Sequence, residues 1–359
     1  MVKSVYIHIP FCKTICSYCD FCKVFYNKKW INDYLDSLEY EIKNNYKDEE
    51  LKTIYIGGGT PSSLNIEELN KLFKIIKIFK INKDYEFTIE CNIEDITEEK
   101  LKLFKYNNVN RISIGIESFN DKYLRFLNRN YSSNIINDKI NLVKKYFNNI
   151  NIDLIYALKD QSLEDLQNDL DKIINLDVTH VSCYSLMIEK NTKLYIDNIK
   201  NIDSELDYKM YELIFNKFND IYDRYEISNY SKKGFESKHN LTYWNNEKYY
   251  GFGLGASGYI NNIRYTNTKN LTKYLNRNYE KEYETLTKKD KIKYELILGF
   301  RKIKGINIKE FYKKYKIDIL SYQNINNLIK QGYLINDNEN IYINDKYLYV
   351  SNDILVKLI

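Results

Sequence analysis

Cys12, Cys16 and Cys19 stand in the run Cys-Lys-Thr-Ile-Cys-Ser-Tyr-Cys, with Tyr18 and Phe21 interleaved. Thiolates are the soft ligands that iron–sulfur clusters require, and three on one short loop can hold three corners of a four-iron cluster. One iron is then left without a protein ligand, and an open iron is a place for chemistry. Structural zinc, using Cys22 as a fourth ligand, is the rival reading. Zinc sites usually pair two knuckles across a longer segment, so four ligands within eleven residues fit poorly. A second signal is Gly57-Gly58-Gly59-Thr60-Pro61. Glycines let the backbone approach a ligand closely and present N–H groups to it. No Gly-Lys-Ser/Thr follows, so this is not a phosphate loop.

The bulk numbers exclude several classes. A chain of 359 residues is long enough for one large domain and a small one. Its net charge of +5 is spread over interleaved lysines and acids, with no basic arm that would indicate nucleic acid. No apolar run is long enough to cross a bilayer, and the start carries no signal-peptide pattern. The first cysteines fall within the first expected strand and its loop, so no removable leader is expected. Six cysteines, four of them within eleven residues, point to a reducing cytoplasm rather than a disulfide scaffold. The chain has only 2 prolines and 12 glycines. Both prolines, Pro10 and Pro61, sit beside the two motifs. Seven of the glycines are Gly57–Gly59, Gly251, Gly253, Gly255 and Gly258, marking places where backbone geometry allows no substitute.

The elements that must position these residues alternate. Residues 5–9, 53–56, 85–90, 111–115, 151–155 and 181–186 read as buried strands, with helical patterns between them. Asn65 with Glu68, and Thr97 with Glu98 and Glu99, read as helix starts. Six βα units predict a parallel sheet with right-handed crossovers, and six fall short of the eight that close a barrel. Active sites of such sheets lie at the carboxyl ends of the strands. Those ends carry the cysteine loop, Gly57–Thr60, Glu90, Glu117 and Asp153, with Met187 beyond the sixth, all expected at one mouth. Asp153 on an apolar strand calls for a partner, because a buried charge is costly. Cys91, Cys183 and His180 read as strand residues without further role. Three parts are expected: a core at 1–190, a less regular segment at 191–265, and a last module at 285–359. In that module helices precede a small hairpin, as in a winged helix, but no basic recognition helix is present. A structural or lid role is expected for it.

The C-x3-C-x2-C spacing followed by Gly-Gly-Gly-Thr-Pro resembles the radical S-adenosylmethionine (SAM) superfamily. Within it, Tyr-Ile-His-Ile-Pro-Phe-Cys at 6–12 and Tyr-Cys-Asp-Phe at 18–21 are similar to the oxygen-independent coproporphyrinogen III oxidases and the related heme chaperones. The resemblance implies an α/β fold, a partial (β/α)6 radical-SAM barrel with a small C-terminal winged-helix-like module. It implies a [4Fe–4S] cluster on Cys12, Cys16 and Cys19, with Cys22 a spectator. It also implies SAM held by Tyr6, Tyr18, Gly58, Gly59, Thr60, Glu90, Glu117, Arg129 and Asp153, with His8 as support near the cluster. Two departures stand out. Glu117 replaces the family's Gln, which alters or removes one contact, and Ala157 and Lys159 replace a Gly and a Pro.

His239-Asn240-Leu-Thr-Tyr243-Trp244 resembles the chaperones and not the decarboxylating oxidases. Imidazole can ligate iron, and Tyr with Trp can stack on a porphyrin. These four residues are therefore the heme candidates. The few residues before Tyr6, and the absence of a Cys-x-Cys continuation after Cys19, also separate the chain from the oxidases. The resemblance implies a cytoplasmic heme chaperone that binds cluster, SAM and heme and passes heme to an acceptor hemoprotein, a respiratory one among the candidates. Transient membrane association is left open. Two alternatives remain: the oxidase itself, and a structural metal-binding protein without SAM or heme.

Overall fold

Six strands follow one another, each separated from the next by one or two helices. They are β1 (Ser4–Ile9), β2 (Leu51–Gly58), β3 (Ile81–Asn92), β4 (Arg111–Glu117), β5 (Asn149–Tyr156) and β6 (His180–Ser185). The helices are α1 (Lys28–Asn45), α2 (Ile66–Ile76), α3 (Glu98–Tyr106), α4 (Asp121–Phe126), α5 (Ile136–Lys144) and α6 (Leu163–Leu176). This is a computed structural model describing residues 1–358. The expected start signals act as caps. Asn65 and Glu68 form a reciprocal capping box on α2, and the Thr97 side chain accepts from Lys100 N–H on α3.

All six strands pair in parallel and in sequence order, β1 through β6. An order that never reverses is that of a barrel wound one way, not of a doubly wound sheet. A seventh parallel strand, β7 (Tyr250–Phe252), pairs with the outer side of β1. The sequence reading saw only a glycine-rich stretch there, because three residues carry no periodicity.

Apolar residues alternate with polar ones along these strands. Ile7 and Ile9, Ile54 and Ile56, Phe87 and Ile89, Ile112, Ile114 and Ile116, and Ile150 and Ile152 are all buried. Phe73 of α2 meets Phe87 of β3 and Phe104 of α3 edge-on, so this set belongs to the helix-covered side. The opposite face is polar and buried too, and it carries the candidate site.

A buried carboxylate braces the segment that follows β7. Glu41 on α1 is wholly buried. Its Oε2 accepts from Gly253 N–H at 3.0 Å and from the Tyr274 hydroxyl at 2.9 Å. Its Oε1 accepts from Asn267 Nδ2 at 2.7 Å and lies 3.2 Å from Lys281 Nζ. Gly253 has φ 105, and a Cβ there would lie 2.5 Å from His8 O and 2.7 Å from the Tyr34 hydroxyl. Only glycine can pass. Tyr34 ties that segment to β1, donating to His8 O at 2.6 Å and accepting from Leu254 N–H at 3.0 Å.

The chain divides into two units, residues 1–217 with 248–284, and residues 218–247 with 285 onward. The segment 191–265 is thus not a body of its own, since its middle joins the C-terminal module. That second unit contains helices Lys288–Gly299, Ile308–Tyr315 and Gln323–Lys330 and a three-stranded antiparallel sheet of Ile306–Asn307, Asn340–Ile343 and Leu334–Asn336. Helices followed by a hairpin in this order are the expected winged-helix-like module. Among the described residues no helix is long and apolar enough to cross a membrane.

Removing one partner of a buried, hydrogen-bonded ion pair costs about 3–5 kcal/mol. Glu41→Ala is therefore expected to lose that much stability in denaturant unfolding and to open the 248–284 segment to protease. Wild-type stability in this variant would show that the carboxylate does not anchor that segment.

Candidate functional site

Strand register stacks the polar face in layers. Tyr6, Tyr55, Thr88, Arg111 and Asn149 align across β1 to β5. Two residues further on, Glu90, Ser113, Asn151 and His180 align, and beyond them Asn92, Gly115, Asp153 and Ser182. Asn151 ties the middle layer to the next. Its Nδ2 donates to Ser113 Oγ at 2.8 Å and to Asp153 Oδ1 at 2.9 Å. Its Oδ1 accepts from His180 Nδ1 at 2.5 Å and Ser182 Oγ at 3.1 Å. His180, which the sequence left without a role, is an internal strut. Asp153 finds the partner its position required.

The carboxyl ends bring the expected residues together. Glu90 accepts from the Tyr55 hydroxyl at 2.7 Å and from Gly58 N–H at 2.9 Å. Gly58 has φ 121, and a Cβ there would lie 2.6 Å from the His8 ring. His8 Nε2 donates to Cys22 O at 2.7 Å, so its Nδ1 accepts a hydrogen bond from the Tyr6 hydroxyl at 2.9 Å. His8 thus supports the cysteine loop as expected, and Tyr6 sits a layer below the mouth. Met187 is two-thirds exposed beyond β6.

Main-chain bonds from several elements hold the cysteine loop. Gly59 N–H donates to Ile9 O, Thr60 N–H to Phe11 O, Tyr26 N–H to Cys12 O and Ser17 N–H to Leu127 O. Cys12 is buried, with the Thr60 hydroxyl 3.6 Å from its sulfur. Burial pushes its thiol up to about 11, so near neutral pH it gives up its proton only when a metal takes the sulfur. Cys16 Sγ accepts from Arg129 Nη1 at 3.2 Å. Cys19 is half-buried, and Lys23 Nζ donates to its carbonyl at 2.5 Å. Among the described residues no three His, Cys, Asp or Glu side chains close on a single ion. Cys22 packs its side chain against Gly255.

Glu117 reaches the mouth through a β-bulge. The register between β4 and β5 slips between Gly115 and Glu117, and Glu117 adopts φ 67. Its Oε1 accepts from the Tyr18 hydroxyl at 2.9 Å and lies 3.4 Å from Arg129 Nη2. The substitution of Glu for Gln is thus matched by two donors. Burial pushes both Glu90 and Glu117 up to about 7, against the opposing pull of their hydrogen bonds and of Arg129 on Glu117. Sequence reasoning missed Tyr55, Arg111 and Glu94 on this face. Period-two polar residues within apolar strands were the signal for the first two.

The fit to a bound group rests on orphaned atoms. Arg129 Nε and Glu94 Oε2 are buried with no hydrogen-bond partner. A cation on Cys16 Sγ and an anion that acts on Glu117, each left half-satisfied, suit a ligand carrying both charges. The heme candidates are on helix Lys238–Trp244, which belongs to the second unit. His239 is buried, with Nε2 2.8 Å from the Tyr243 hydroxyl.

Residues 6–173 match the radical SAM superfamily. The chain is 39% identical to the heme chaperone HemW of Lactococcus lactis, over 99% of this chain and 97% of that protein. It is 37% identical to that of Bacillus subtilis and 31% to that of Escherichia coli, over 98% and 92% of its length. The chain belongs to the HemW heme chaperone family. Its fold is that of the radical SAM enzyme HemN, the coproporphyrinogen III oxidase of E. coli, at a TM-score of 0.87 over 99% of this chain and 90% of that one, with 21% identity. A radical SAM protein uses a [4Fe–4S] cluster and SAM, and in this HemW-family chain the three thiols, the orphaned atoms and the carboxylates fit such a pair.

Two outcomes follow from this geometry. Glu90 binds its proton more tightly when folded, at about 7 against an ordinary 4.5, so the ligand-free protein loses stability as pH rises through that window. Glu90→Gln carries no such charge, so its melting temperature should gain on wild type between pH 5 and 8. A difference independent of pH would contradict the buried carboxyl. Ala157 holds φ 59 after β5 while buried. Ala157→Gly should stabilise by about 1 kcal/mol in the same melts, and a loss would mean the turn is not strained.

Proposed function

We propose that this protein is a heme chaperone that carries a [4Fe–4S] cluster and SAM, takes heme as cargo and hands it to an acceptor hemoprotein. The observation that carries the reading is the near full-length match to a protein named heme chaperone HemW, 39% identical. Cys12, Cys16 and Cys19 would hold the cluster. The cluster would supply an open coordination position and an electron.

The protein's own groups divide the remaining work. Arg129, with an unpaired Nε, suits a carboxylate. Glu90, fixed by Tyr55 and the Gly58 N–H, suits an ammonium group. Glu117 and Asp153 can accept from hydroxyls, while Thr60 and Gly59 bring the backbone of the second loop beside Cys12. Tyr6 and Tyr18 act by holding His8 and Glu117 in place.

Heme is assigned to the His239, Asn240, Tyr243 and Trp244 helix. Trp244 Nε1 is buried without a partner, and the Arg301 guanidinium lies 5.6 Å from the ring centroid. Because Tyr243 occupies His239 Nε2, ligation of iron by that atom requires this bond to open. The clustered free thiols support a cytoplasmic site of action.

Anaerobic heme titration of cluster-reconstituted protein is expected to saturate at one heme per chain, with a changed visible spectrum in His239→Ala. No saturable binding by protein with an intact cluster would overturn the chaperone reading and turn attention to decarboxylation of coproporphyrinogen. Replacing Cys12, Cys16 or Cys19 singly by Ser should abolish most of the iron–sulfur absorbance, and Cys22→Ser should leave it. Equal loss in Cys22→Ser would mean a four-cysteine site.

A further inference from the structure

SAM differs from its demethylated relative S-adenosylhomocysteine by a fixed positive charge on sulfur. A sulfonium has no N–H or O–H, so no hydrogen bond can recognise that charge. Only the field of the surrounding groups can do so.

The mouth of the sheet carries an unusual excess of negative groups. Glu90, Glu117 and Asp153 stand at the ends of adjacent strands, and Glu94 follows β3. Asp153 and Glu94 each act electrostatically on Glu117, and Asp153 acts on Glu90. Against these four carboxyl groups stand two guanidinium groups, Arg129 and the deeper Arg111. Arg129 is already engaged, by Glu117, by Cys16 Sγ and by Gly115 O at 2.6 Å. Glu117 is the group that tips this balance. A glutamine there could accept from the Tyr18 hydroxyl and from Arg129 with the same shape, so the carboxylate adds charge rather than geometry. The bulge and its φ of 67 fix that charge at the mouth instead of letting it swing to solvent.

We infer that Glu117 is a specificity-determining residue that makes this site select the sulfonium form of the cofactor over the neutral thioether. The assignment rests on the proposed function, in that the mouth is taken to hold SAM. Glu94, whose Oε2 has no partner, adds to the same field from the neighbouring strand end.

The experiment is anaerobic calorimetric titration of cluster-reconstituted protein with SAM and with S-adenosylhomocysteine at pH 8, above the value of about 7 to which burial brings the Glu117 carboxyl. One buried unit charge acting over about 10 Å at an effective dielectric constant of about 20 changes an affinity by on the order of tenfold. Glu117→Gln is therefore expected to reduce the SAM to S-adenosylhomocysteine affinity ratio about tenfold, chiefly by weakening SAM. Glu94→Gln should move the ratio the same way by a smaller factor. An unchanged ratio in Glu117→Gln, with its melting temperature and cluster absorbance retained, overturns the inference. If that variant does not fold or loses its cluster, the wild-type affinities decide, and equal binding of SAM and S-adenosylhomocysteine at pH 8 overturns it. Wild-type protein that carries its cluster but binds neither ligand overturns the proposed SAM site itself, a result distinct from equal binding of both, which overturns only the role of Glu117.

Discussion

A parallel sheet wound in one direction keeps its strands in step, and here that register puts one polar side chain from each strand into every layer of a buried face. Such a face is costly unless its groups satisfy one another. Asn151 shows how this is done, serving Ser113, Asp153, His180 and Ser182 across three neighbouring strands. The network is not complete in the lowest layer, where Thr88 Oγ1, Arg111 Nε and Asn149 Oδ1 are buried without a hydrogen-bond partner. Two more unsatisfied atoms, on Arg129 and Glu94, lie near the mouth, where a ligand can meet them.

The cysteine loop depends on that frame without belonging to it. It has almost no regular structure, so its shape comes from borrowed main-chain partners at Gly59, Thr60 and Leu127 and from the His8 ring under Cys22. His8 in turn is held against Gly58, and its backbone against Gly253 and Tyr34. The buried Glu41 thus acts on the loop at a distance. It fixes the 253–281 segment against the strand from which the loop departs. Strain collects nearby, at Glu117 and Ala157, two non-glycine residues in left-handed backbone beside the mouth.

Much of this was legible before any coordinates. The six strands, the helix caps at Asn65 and Thr97, and the gathering of Glu90, Glu117 and Asp153 at one end follow from local pattern and a single topological rule. β7 was not legible, because a three-residue strand within a glycine-rich stretch has no period to detect. The role of Glu41 was hidden for a different reason. An acid on an amphipathic helix reads as a solvated face, and its partners lie more than 200 residues away. The second unit was misdivided because its first part, 218–247, is separated in sequence from the rest.

By itself the sequence determined the chemistry available, the soft sulfur ligands at a set spacing, the close-approach glycines and the acids at strand ends, because residue type and local period are one-dimensional properties. Tertiary structure alone decided which charges share a desolvated space. The pairing of Glu117 with Arg129 and Tyr18, the engagement of Cys16 by Arg129, and the burial of His239 against Tyr243 depend on a bulge, a register and a packing. The reason is physical: electrostatic and hydrogen-bond energies fall off over a few ångström of space, and distance along the chain does not measure that.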